Sequence, residues 1–178
     1  MFEKLTIGKI EQLATEKLRY TNVDANKYKI YLCGPMNGLS VEVSRGWRNE
    51  LIEFLPPYIS ALDPFFGKHN LRNEMIIKDV KNNQNYVGYT TTDKSILRRD
   101  YWYVQQCDLV FANLNVHPGI AGVGSSAEIA WSWAMQKPLL VVMGENNPYD
   151  HPMVRDAAWW IVPTFEEGKH LVLDILSP

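Results

Sequence analysis

Short apolar runs alternate with amphipathic stretches along most of this chain. Apolar runs predict five strands, at residues 29–33, 59–62, 109–114, 139–143 and 160–162. Helical spacing predicts helices at residues 41–54, 95–106, 126–136 and 153–159, and a capping-box pattern at Thr164 begins a last helix that runs to Leu176. Continuously apolar strands that alternate with helices are typical of a parallel sheet covered on both faces. We therefore predict an α/β fold, a flavodoxin-like or Rossmann-like three-layer sandwich with about five strands.

Two segments depart from this alternation. Residues 1–27 include a short amphipathic pattern, which predicts an N-terminal helical extension packed on the domain. Residues 66–92 have no clear period and indicate an insertion in the loop after the second strand. With 178 residues and no linker, the whole chain is expected to form a single domain.

Composition narrows the choice of partners and location. The net charge of -2 and the pI of about 6.1 argue against a broad basic surface for duplex nucleic acid. A charged N-terminus and the lack of a long apolar stretch argue against a signal peptide or membrane span, so we expect a cytoplasmic protein. Cys33 and Cys107 lie in or beside apolar runs, as buried thiols of a reducing compartment do. The four histidines are far apart, and we expect neither a metal site nor a cofactor.

The richest sequence feature is the glycine-rich turn GIAGVGSSAE at residues 119–128, between a predicted strand and a helix. Three interpretations are open. Ser125 and Glu128 fit a capping box, in which Glu128 is only a helix cap. Gly122 and Gly124 fit a dinucleotide fingerprint loosely, although a loop separates them from the strand. In the third interpretation, Glu128 is a catalytic carboxylate beside an anion-binding turn.

Other polar residues lie near predicted strand ends or on the helix between them. Asp100 is on a predicted helix, where it is a cap, a partner of a neighbouring arginine or a site residue. Tyr31 lies in the first strand, where a structural role is the default for a buried tyrosine. Asp63 ends the second strand and His151 lies in the last loop, both at the edge where ligands of such sheets bind.

Four stretches in this order resemble the nucleoside 2-deoxyribosyltransferase superfamily, which includes nucleoside 5'-monophosphate N-glycosidases. They are IYLCGPM at residues 30–36, RD at 99–100 followed by CDLV at 107–110, GSSAEIA at 124–130 and HPM at 151–153. The resemblance extends from about Lys29 to the C-terminus. It implies that Glu128 is the nucleophile, that Asp100 helps to hold or protonate the base, and that Tyr31 orients the nucleophile.

The resemblance also implies a substrate-binding set built on two turns and the last loop. The turns would cradle the sugar and its 5' end, and His151 would reach the site of a neighbouring subunit, which implies at least a homodimer with shared active sites. The expected substrate-binding residues are Gly34, Pro35, Met36, Asp63, Gly122, Gly124, Ser125, Ser126, His151 and Met153.

One position departs from the family pattern. Transferases of the family often have an aspartate six residues before the nucleophile, whereas monophosphate hydrolases have a small hydroxyl residue; this chain has Gly122. We expect cleavage of the N-glycosidic bond of a (deoxy)nucleoside or nucleoside 5'-monophosphate through a glutamate nucleophile, by hydrolysis or 2-deoxyribosyl transfer. Gly122 makes a 5'-phosphorylated substrate plausible and shifts the expectation toward hydrolysis. The alternatives are an NAD-type N-ribosyl hydrolase and a non-catalytic nucleotide-binding or sensing module.

Overall fold

A computed structural model describes residues 27–66, 68, 76–77 and 91–178. Within these residues the chain forms β1 (Tyr28–Cys33), α1 (Val41–Phe54), β2 (Ile59–Leu62), α2 (Asp93–Gln106), β3 (Leu109–Asn113), α3 (Val123–Ala134), β4 (Leu139–Val142), α4 (Pro152–Ala157), β5 (Trp160–Val162) and α5 (Phe165–Ile175). All but the last residue of the predicted N-terminal extension at residues 1–27, and most of the predicted insertion at 66–92, lie outside the described residues.

The five strands form one parallel sheet in the order β2-β1-β3-β4-β5. This order confirms the predicted flavodoxin-like fold. The chain leaves β1 toward β2 on one side and returns to β3 on the other, so the carboxyl ends of β1 and β3 border a crevice. In sheets of this kind ligands bind in that crevice. Within the described part of the chain, no helix is long and apolar enough to cross a membrane.

Alternate side chains of the strands form two separate apolar layers. Ile30 and Leu32 of β1 pack with α1 and α5 on one face of the sheet. Tyr31 and Cys33 point to the other face, where they pack with α2, α3 and α4. The register of β1 therefore decides which of its side chains can meet α3, and it selects Tyr31.

The helix starts depend on capping. At α5 the predicted capping box is confirmed, since the Thr164 side chain accepts from the Glu167 amide and Glu167 bonds back to the amide of Thr164. The start of α3 was predicted at Ser126 but lies at Val123, after a Gly122 N-cap that makes no side-chain cap bond. Ser125 therefore lies inside the first turn of α3.

Candidate active site

A cavity of about 490 Å³ opens at the carboxyl ends of β1 and β3, between the turn after β1 and the start of α3. The structure brings many of the residues expected from sequence together in its wall. These are Gly34, Pro35, Met36, Asp100, Gly122, Gly124, Ser125 and Glu128. The cavity is therefore the candidate active site, and its most informative residues are the two carboxylates.

Glu128 points from the second turn of α3 into the base of this cavity, where it is buried. The Tyr31 hydroxyl of β1 donates a hydrogen bond of 2.8 Å to Glu128 Oε1. The capping-box interpretation of Glu128 is wrong, because α3 begins three residues before Ser126 and its N-cap is Gly122. The carboxylate therefore bonds to Tyr31 of the central sheet and does not cap its own helix.

Burial makes this carboxylate hard to ionise. Desolvation and the nearby Asp100 carboxylate raise the pKa of Glu128 from the ordinary 4.5 to about 7. Hydrogen bonding from Cys33 and Tyr31 and the positive charge of Arg48 act in the opposite direction. Burial also raises the pKa of Tyr31 well above 10, as does the neighbouring Glu128, so the tyrosine stays protonated and donates.

Asp100 is a buried residue of α2 that is both ion-paired and in the cavity wall. Arg99 Nη2 lies 3.2 Å from Asp100 Oδ1, and the same arginine donates to the carbonyl oxygens of Pro64 and Phe66 at 3.0 and 2.9 Å. Burial raises the pKa of Asp100, while the positive charges of Lys68 and Arg99 oppose this rise. Asp100 is therefore paired with a neighbouring arginine, as one of its interpretations predicts, and it also lines the cavity.

Arg48 of α1 is a fully buried cation beneath the site that the sequence analysis missed. It donates to the carbonyl oxygen of Gly34 at 2.9 Å and to that of Ser44, and its Nε lies 3.7 Å from Asp63 Oδ1. Asp63 also accepts from the Phe65 amide at 2.9 Å and does not line the cavity. A charged residue next to Trp47 on the inward side of a helix was the signal available in the sequence.

Gly34 allows the chain to pass close to this arginine. A Cβ at position 34 would lie 2.9 Å from the Asn113 carbonyl oxygen and 2.9 Å from Trp47 Cζ2. Neither the strand backbone nor the packed indole has room to move by the required amount. Glycine is therefore needed here for the close approach of β1, β3 and α1 at the mouth of the site.

Lys68 is a second cation that the sequence analysis did not single out, because it lies in the segment without periodicity. It is buried, it lines the cavity, and its Nζ lies 4.0 Å from Met36 Sδ. Burial lowers its pKa, and the negative charges of Asp100 and Glu128 partly restore it. Lys68 thus places positive charge near the carboxylates.

The structure places Ser126, His151 and Met153 around a second cavity of about 490 Å³. This cavity shares Ala121 with the first but not Glu128 or Asp100. His151 is the N-cap of α4, where its Nδ1 accepts from the Met153 amide at 3.2 Å. The structure therefore separates these three residues from the carboxylates of the same chain.

The turn before α3 is fixed by a residue from a distant loop. The Gly122 amide donates to the hydroxyl oxygen of Tyr149 at 2.6 Å. Tyr149 was not selected from the sequence, since its contact spans 27 residues and no local pattern marks it. Among the residues that the structure describes, no cluster of three histidine, cysteine or carboxylate side chains is arranged to hold a metal.

Comparison with known families gives a match over most of the chain. A family model described as nucleoside 2-deoxyribosyltransferase matches residues 30–172. This range includes both carboxylates, both turns and His151. No protein of curated function matches the sequence significantly.

Solved structures share the fold at low sequence identity. A conserved protein from Enterococcus faecalis V583 is 15% identical with a TM-score of 0.59, covering 84% of this chain and 99% of its own. The CMP N-glycosidase BcmB of Clostridium botulinum is 18% identical with a TM-score of 0.50, covering 83% and 99%. The solution structure of BlsM is 16% identical with a TM-score of 0.52, covering 87% and 98%.

The raised pKa of Glu128 predicts a pH-dependent stability. Its contribution is fully present below about pH 4.5 and is lost as the pH rises through about 7, an effect of up to about 3 kcal/mol. Glu128→Gln removes the charge and keeps an oxygen that accepts from Tyr31. We expect this variant to be more stable than the wild type at pH 8 by about 1–3 kcal/mol, with little gain at pH 4.5.

Urea unfolding at pH 4.5 and 8 measures this difference. Glu145→Gln, which changes an exposed carboxylate, is the matched control and should show no such dependence. An equal effect of Glu128→Gln at both pH values would contradict the raised pKa.

Proposed function

This chain belongs to the nucleoside 2-deoxyribosyltransferase family, and we propose that it hydrolyses the N-glycosidic bond of a nucleoside 5'-monophosphate. The observation that carries this proposal is the buried Glu128 carboxylate, which is oriented by the Tyr31 hydroxyl at 2.8 Å and faces a cavity of about 490 Å³. A carboxylate in such a place can trap a cation-like sugar carbon as an ester.

The proposed reaction has two steps. In the first, the bond from C1' to the base nitrogen breaks, Glu128 bonds to C1', and the base nitrogen takes a proton from a water held by Asp100. In the second, the resulting hydroxide attacks C1', and the ester bond breaks with its electron pair returning to Glu128. The products are the free base and a sugar phosphate with a new hydroxyl at C1'.

The electrostatics around Asp100 support its role at the base end. Burial raises the pKa of Asp100, which favours its protonated form, while the positive charges of Lys68 and Arg99 oppose this rise. The Lys68 ammonium also offsets the negative charge that develops on the departing base. Asp100 is therefore placed to hold the water that delivers the proton to the base.

The start of α3 supports a phosphate at the 5' end. Its N-cap, Gly122, provides no side-chain cap, and Val123, Gly124 and Ser125 of the first turn line the cavity. Uncapped amides at a helix start favour an anion. The Clostridium botulinum neighbour, described as a CMP N-glycosidase, acts on a substrate of this chemical class.

We further propose a homodimer in which each subunit completes the site of the other. Within one chain, His151 lines a different cavity from Glu128. Beside His151 in that second cavity, Trp133 and Met153 are 67% and 74% exposed, which is apolar surface that a partner subunit would cover. The free, buried Cys33 and Cys107 suit the reducing cytoplasm, where we place the enzyme.

The central test is release of free base from a panel of nucleosides, 5'-monophosphates and NAD, followed by chromatography. We expect release from a 5'-monophosphate, and Glu128→Ala should lower kcat by at least about 10³-fold because it removes the nucleophile. Glu145→Gln, at an exposed carboxylate, is the control. Full activity in Glu128→Ala would refute the proposal.

Two other outcomes of the panel would point elsewhere. Release from NAD alone would indicate an N-ribosyl hydrolase, and tight nucleotide binding without any release would indicate a sensing module. Addition of a second free base distinguishes transfer from hydrolysis, because transfer yields a new nucleotide.

The pH dependence of kcat/KM tests the electrostatic assignments. The rate should fall as the pH drops below about 7, since Glu128 must be ionised to attack. Asp100→Asn removes a charge that raises the pKa of Glu128, so the acidic limb should move to lower pH. Tyr31→Phe removes a hydrogen bond that lowers the same pKa, so the limb should move to higher pH. Movement of both variants in one direction would contradict the assignment.

Complementation tests the shared site. Glu128→Ala and His151→Ala should each be nearly inactive, but mixed dimers would contain one intact site made from the two chains. After mixing and re-equilibration we expect about a quarter of wild-type activity. Glu128→Ala mixed with Asp100→Asn is the control and should recover nothing, because both changes fall in the site of one chain. A monomer in sedimentation, or no recovery in verified mixed dimers, would rule the arrangement out.

A further inference from the structure

The backbone conformation at position 122 does not require a glycine. Its φ of -86° and ψ of 135° are values that any residue adopts. A glycine at such a position calls for a steric reason. That reason lies outside the turn, in the loop between β4 and α4.

The Tyr149 hydroxyl occupies the place of a side chain at position 122. A Cβ built on Gly122 would lie 2.9 Å from that oxygen, closer than such contacts occur. Among the described residues, no other atom outside the turn lies within 4 Å of this Cβ. The ring atoms of Tyr149 are also farther away than that. Any side chain at position 122 would therefore have to displace this one oxygen atom.

Tyr149 is held firmly in this position. Its amide donates to Asn147 Oδ1 at 3.0 Å, and Asn147 Nδ2 donates to the Leu114 carbonyl oxygen at 2.9 Å, beyond the end of β3. The ring is buried, and the hydroxyl oxygen accepts from Gly122 at 2.6 Å. The tyrosine thus connects the end of β3 to the start of α3.

The hydroxyl also lies between the two cavities. Gly122 and Ser125 line the first cavity, whereas Tyr149 lines the second. Burial raises the pKa of Tyr149, and hydrogen bonding from Gly122 and Ser125 acts against this rise. A change at Tyr149 therefore reaches the Gly122 amide in the wall of the proposed active site.

We propose that Tyr149 is a positioning residue that determines specificity: its hydroxyl replaces a side chain at position 122 and fixes the start of α3 where the substrate's 5' phosphate binds. This inference rests on the proposed function for the identity of the 5' group. Glu128 is held separately by Tyr31, so a loss of Tyr149 should weaken binding of the phosphate more than it slows the chemical step.

Four proteins test this inference: the wild type, Tyr149→Phe, Gly122→Ala and the double variant. Calorimetry would give dissociation constants for CMP and for cytidine, the pair that differs by the 5' phosphate. We expect Tyr149→Phe to weaken CMP binding by about 10-fold, the effect of one hydrogen bond to a charged-ligand site, and cytidine binding by less than about 3-fold. Where the wild type turns CMP over, KM should rise and kcat should stay within about 3-fold.

The double variant separates positioning from general damage. Gly122→Ala should weaken CMP binding by at least about 10-fold in the wild type but by less than about 3-fold in Tyr149→Phe, because only the hydroxyl contacts the new methyl group. Gly124→Ala is the matched control: its Cβ would meet nothing within 4 Å, so its effect should be equal in both backgrounds. In urea unfolding, the loss of stability caused by Gly122→Ala should likewise depend on the Tyr149 hydroxyl. The loss caused by Gly124→Ala should not.

The outcomes separate this inference from the proposed function. If CMP binds with the expected coupling but no 5'-monophosphate of the panel is cleaved, the proposed function fails and the role of Tyr149 stands. If CMP is cleaved but Gly122→Ala is equally harmful in both backgrounds, or CMP and cytidine lose affinity equally, the role of Tyr149 is overturned. A wild type that neither binds nor cleaves any 5'-monophosphate of the panel overturns both.

Discussion

The hydrogen bond between Tyr31 and Glu128 is the contact on which the site depends. It joins residues 97 positions apart and connects the middle of β1 to the second turn of α3. This arrangement lowers the stability of the fold, because it keeps a carboxylate where burial opposes its ionisation. A polar group of this kind has no structural advantage over an apolar residue, and its presence supports the proposed role of Glu128 as the nucleophile.

Arg48, which lies beneath the cavity, offsets part of the cost of burying the Glu128 carboxylate. Its guanidinium is buried on the α1 side of the sheet edge, donates to the Gly34 carbonyl oxygen and faces Asp63. Its positive charge also favours the ionised form of Glu128. The same side chain therefore supports the turn after β1 and compensates charge beneath the cavity, which ties the shape of the crevice to its electrostatics.

The sequence predicted the sheet and its helices because apolar runs and helical spacing are local signals. It placed the candidate site at the strand ends because ligands of such sheets bind there. It predicted a capping box at Thr164 correctly, since both partners lie within three residues. The start of α3 was misjudged, because Gly122 is bonded to Tyr149 from another loop. Arg48 was missed for a similar reason: its partners Gly34 and Asp63 are distant in sequence. Contacts between segments that are distant in sequence leave little signal in the local spacing of apolar and polar residues.

The alternation of β1 has a consequence for how the protein can fail. Tyr31 and Cys33 face α3, whereas Ile30 and Leu32 face the opposite layer. A slip of β1 by one residue would present an aliphatic side chain to Glu128 and turn the tyrosine away. Such a molecule would lack the site altogether rather than have a weakened one. In any preparation, the proposed activity would then measure the fraction of correctly paired molecules, and a slip would reduce the number of active sites without changing the properties of those that remain.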